Sequence, residues 1–120
     1  MSQRIDEFNS YLVEQQKNML ENANKYISEG REDDAVFLKI KANIYDVFST
    51  LAKVSKQQAN NDINQWKELF LQKAHNVPSA WKVSLEKARE FGDTKKIVIE
   101  ESKLSTVDDI MKQYNTLFQE

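Results

Sequence analysis

The sequence predicts an all-α protein, an antiparallel up-down helical bundle of four rods whose third rod is broken near Pro78 into two short helices. Three observations carry this reading. The 120 residues include only two Gly and one Pro, so the strongest breakers of a helix are nearly missing. Apolar residues recur at steps of three, four and seven through most of the chain, which is the period of a helical face. The interruptions at Gly30, at residues 58–61 and at Gly92 are short, and short connections join antiparallel neighbours. A chain of this length can bury a core without disulfides or metal, and residues 1–120 read as a single helical domain.

Helix one is expected over about residues 3–29. Ile5, Phe8, Leu12, Met19, Ala23 and Tyr26 form its stripe, and Gly30 supplies the left-handed residue that ends it. Helix two is expected from about Asp33 to Gln57, with acidic residues at its N-terminus where the helix dipole favours them. Lys39, Asn43, Asp46, Thr50 and Lys53 fall on one narrow strip, and nearly everything else is apolar. A helix apolar over most of its circumference is largely enclosed, so this is the expected central helix. Asn61 or Asp62 is the expected N-cap of helix three, which carries Ile63, Trp66, Leu69, Phe70 and Ala74. It breaks at Pro78, which cannot continue the hydrogen-bond ladder. Helix four carries Trp81, Leu85 and Ala88 and stops at Gly92. Helix five is expected as one continuous rod over about 94–118, because Ile97, Leu104, Val107, Met111, Tyr114 and Phe118 keep one phase. That phase outweighs the strand propensity of residues 97–99.

Around the first turn, Tyr26, Gly30, Ala35 and Ala42 resemble the inner positions of a tetratricopeptide repeat. The family's tryptophan, leucine and phenylalanine positions would hold Met19, Asn22 and Lys39. One period further on, its tyrosine and alanine positions hold Asn60 and Leu69. The pattern does not recur, and the turn reads as a bend between two helices.

Composition narrows function more than motifs do. There is no Cys, which removes disulfide frameworks, thiolate metal sites and thiol nucleophiles. The net charge is −2, and Lys39, Lys41, Lys53 and Lys56 of helix two do not line up on one face, so nucleic-acid binding is not expected. The N-terminal segment lacks the apolar stretch of a signal peptide, and no apolar run approaches the ~20 residues that span a bilayer. A soluble, cytoplasmic protein without membrane association is the expectation. The single histidine, His75, has no Glu-x-x-His motif for a bundle di-iron site and no second base for a nucleophile triad. The pairs Asp33–Asp34, Glu100–Glu101 and Asp108–Asp109 are adjacent on a helix and so diverge by about 100°. Two Gly leave no phosphate-binding loop. No catalytic residue, metal ligand or cofactor is therefore expected, and Trp66 and Trp81 read as core.

The remaining reading is a protein that acts through another protein or through itself. Helix two exceeds the roughly three apolar positions in seven that a bundle needs. Its surplus, Val36, Ile40, Val47 and Val54, makes a second seam and is the expected partner-binding surface, with a homo-oligomer as one outcome. The alternatives are an enzyme or metalloprotein with an unrecognised site, and a nucleic-acid-associated regulator. One more expectation concerns charge. Lys41 and Glu100 are each the one charge on an otherwise apolar face, and buried charges pair or reach water. The phases predict that the two approach each other across the diagonal of the bundle, or that one of them snorkels to the surface along its apolar stem.

Overall fold

The computed structural model describes residues 3–119. It is 90% helical, with no strand among the described residues. The helices are α1 (Gln3–Ser28), α2 (Glu32–Gln58), α3 (Ile63–Asn76), α4 (Ser79–Phe91) and α5 (Thr94–Phe118). Among the described residues no helix is long and apolar enough to cross a membrane.

The chain turns where its residues allow it. Gly30 and Gly92 sit at φ of 77° and 67°, a left-handed conformation that strains other residues. Between α2 and α3, Asn60 and Asn61 also take positive φ, which Asn tolerates better than most residues. Asp62 then caps α3, its carboxylate accepting from the Asn64 and Gln65 N–H groups. Pro78 bends the third rod by only 18°. The Val77 N–H still bonds to Lys73 O, and the Trp81 and Lys82 N–H groups both reach Pro78 O. The proline therefore stands near the start of a helix, where its missing N–H costs little. Residues 97–99 lie inside an unbroken α5, as the helical phase predicts.

The core is aromatic and gathers where α1 begins and α5 ends. Phe8 sits at its centre, meeting Trp66, Phe70, Tyr114 and Phe118 edge to face. Trp66 stacks on Phe70, with centroids 5.2 Å apart, and its Nε1–H donates to Ala52 O at 3.1 Å. Toward Gly30 the buried residues become small. Ala35, Ala42 and Ser49 recur every seven residues on α2, with Ala23 on α1. Small side chains let backbones approach, and α1 against α2 is the most intimate helix pair.

The arrangement departs from a square bundle in one respect. α2 and α5, expected on a diagonal, lie directly against each other. α1 and α3 instead bridge the core through the Phe8, Trp66 and Phe70 rings. The molecule is accordingly flattened, 45 × 36 × 23 Å. Large rings fill one diagonal at one end, and the other diagonal closes onto smaller side chains.

Tyr45 of α2 is buried and meets Tyr11 of α1 edge to face. Burial first, and then a hydrogen bond with Tyr11, raise its phenol well above the ordinary value. A raised folded-state value means the folded form holds the proton more tightly. Its contribution is fully present below the unfolded pKa of about 10 and is lost as pH rises above it. Urea midpoints should therefore hold to about pH 9 and fall above about pH 10. Tyr45→Phe should flatten that alkaline limb; an unchanged limb would assign it to other groups.

Candidate interaction surface

The seam expected on α2 is neither fully covered nor uniformly open. Val36 is 49% exposed, while Ile40, Val47 and Val54 are half-buried. Val47 touches the aromatic core. The seam thus divides into a C-terminal part lodged in the fold and an N-terminal part that faces water. Val36 and Phe37 join Ile99 of α5 in a recess of about 410 Å³, with Asp33 and Lys95 also lining it. That lies at the small end of the ~300–1,000 Å³ typical of ligand pockets. α2 and α5 enter this end side by side, so a stripe on one helix becomes a cleft shared by two.

Further apolar side chains reach the surface without any expectation from sequence. Val13, Leu20 and Ile27 follow one another every seven residues along α1. Their spacing carries the signal, but they lie beside the stronger Phe8–Leu12–Met19 stripe and are masked by it. Phe91, the last residue of α4, is 81% exposed. Its place just before a helix-ending Gly hides it among turn residues.

The expected Lys41–Glu100 pair does not form. Glu100 is buried as its phase predicts, only 5% exposed, but its Oε1 accepts from Lys103 Nζ at 3.2 Å. Lys103 lies one turn further along the same helix and needs no crossing of the core. Its ammonium also stands over the Trp81 ring, 5.7 Å from the centroid, within cation–π range. Glu100 Oε2 is buried with no hydrogen-bond partner. Lys41 is half-buried, which fits a stem laid along apolar surface with its head toward water.

His75 lines a crevice at the bend of the third rod, with Lys82, Asp108, Pro78, Leu104 and Val107. His75 itself is exposed, and its carbonyl accepts from Ser79 Oγ at 3.1 Å. Among the described residues no three His, Asp or Glu side chains gather to hold a metal ion. Trp66 is fully buried and belongs to the core; Trp81 is partly buried against it. No protein-family model, curated protein or solved structure matches this chain.

Proposed function

We propose that this chain is a small non-enzymatic helical protein that works by binding a second protein or a second copy of itself, in the manner of an adaptor or chaperone-like bundle. A cysteine-free chain suits the reducing cytoplasm. The observation that carries the reading is the apolar recess where Val36, Phe37 and Ile99 meet, at the open part of the α2 seam. Apolar surface collected into a cleft with polar edges is what protein interfaces present.

Sedimentation velocity across micromolar to near-millimolar concentrations tests it, self-association being the first outcome sought. Wild-type protein should associate, and Val36→Lys should remove the association while leaving the helical signal and urea midpoint unchanged. Ile40→Lys should weaken association less cleanly, because Ile40 is partly lodged in the fold. Association unaffected by Val36→Lys would place the interface elsewhere.

A further inference from the structure

Of the eight large apolar residues that are exposed among the described residues, Ile27, Val36, Phe91 and Val98 lie close in sequence to Gly30 or Gly92. Those turns share one end of the bundle, because the first turns of α2 and α5 line the same recess. Half of them are therefore near that end, opposite the aromatic core. Phe91 dominates that end. It is also held in place: the Gly92 N–H bonds to Arg89 O and the Asp93 N–H to Ala88 O, while Asp93 caps α5 through the Lys96 N–H. The backbone that carries the ring is thus fixed rather than part of a loose loop, and at 81% exposure the ring does not fill the recess of its own chain.

We infer that the recess lined by Val36, Phe37 and Ile99 receives Phe91 of a second copy of this chain, each copy giving its Phe91 to the other in a two-fold pair. This rests on the self-association reading above and names its contact. Charge chooses the occupant. The recess carries one acid, Asp33, and one base, Lys95. Phe91 is flanked on α4 by the base Lys87, one turn earlier, and the acid Glu90; the base of the last turn itself, Arg89, is already engaged with Glu101. Among the described residues, none of Asp33, Lys95, Lys87 and Glu90 takes part in the ion pairs that other residues make. In a two-fold pair Lys87 meets Asp33 and Glu90 meets Lys95, twice over. Because each copy both gives its Phe91 and receives the other's, the contact is isologous and closes as a dimer rather than extending into a filament.

The absence of Cys makes the test clean. Val36→Cys and Phe91→Cys proteins, mixed and oxidised, should give a mixed cross-linked dimer in preference to either like pair. Phe91→Ser should weaken dimerisation by about tenfold or more, as loss of an interface anchor does, with the urea midpoint unchanged. Lys95→Glu should weaken it too, and Glu90→Lys in the same chain should restore it. Wild-type protein monomeric at every concentration would overturn both this contact and self-association. A dimer indifferent to Phe91→Ser, or one giving no mixed cross-link, would overturn the Phe91 contact and leave self-association standing. A different protein seated at Val36 of a monomeric chain would likewise overturn it.

Discussion

Trp66→Ala is expected to destabilise the fold by about 3–5 kcal/mol, the range for emptying a fully buried aromatic site. Trp66 is completely buried. Its ring stacks on Phe70 and meets Phe8 and Phe118, so truncation opens a cavity bordered by three helices. Neighbouring rings are rigid and cannot collapse into such a space as flexible aliphatic chains can. The change also removes the Nε1–H donor to Ala52 O. Domains of ordinary stability hold only about 5–15 kcal/mol in all, so the variant should be marginal or unfolded at room temperature. Trp66→Phe separates the contributions. It keeps most of the ring and loses the hydrogen bond, worth about 0.5–1.5 kcal/mol. Urea unfolding followed by circular dichroism measures both, and a cost below 1 kcal/mol for the alanine variant (about the loss from a single methylene) would contradict this account of the core.

The second large effect is expected at the buried carboxylate. Lys103→Met should destabilise the fold by about 2–4 kcal/mol, because it leaves Glu100 buried without its one partner. The figure sits toward the low side because the Lys103 side chain is 25% exposed and water can partly replace it. Glu100→Leu should do the opposite, since it removes a buried charge and its orphaned Oε2 and keeps the volume. Such replacements are neutral or stabilising by about 1–4 kcal/mol. Combining the two changes should give nearly the stability of Glu100→Leu alone. The strong non-additivity is the signature of one pair. Additive effects would mean that Lys103 contributes through its Trp81 contact and not through Glu100.

Much of the fold was legible because its punctuation is local. Gly30, Asp62, Pro78 and Gly92 each act through the backbone of their own turn, and the observed helix ends follow them. The burial of Glu100 was legible too, since phase along α5 fixes which face it occupies. Its partner was not. Phase gives an angle about one helix axis and says nothing of how far apart two helices lie, so it offered Lys41 across the bundle and left unweighed Lys103, one turn away on the same helix. The same limit hid the direct contact of α2 with α5. Val36 was legible as surplus apolar surface, but its meeting with Ile99 depends on two helices entering side by side. Phe91 was missed because a single apolar residue beside a turn has no periodicity of its own.

The placement of Phe8 has a consequence for how the chain folds. The hairpins turning at Gly30 and Gly92 join residues near in sequence, and such contacts form early because little chain entropy is lost in closing them. The contacts of Phe8 with Tyr114 and Phe118 instead join nearly opposite ends of the chain, and they form only when the whole loop between them closes. Most of the aromatic burial is thus withheld until the last long-range step. Mutations along the Ala35–Ala42–Ser49 stripe should then slow folding, whereas Phe118→Ala should chiefly speed unfolding. Stopped-flow chevrons of the two variants would show which arm moves.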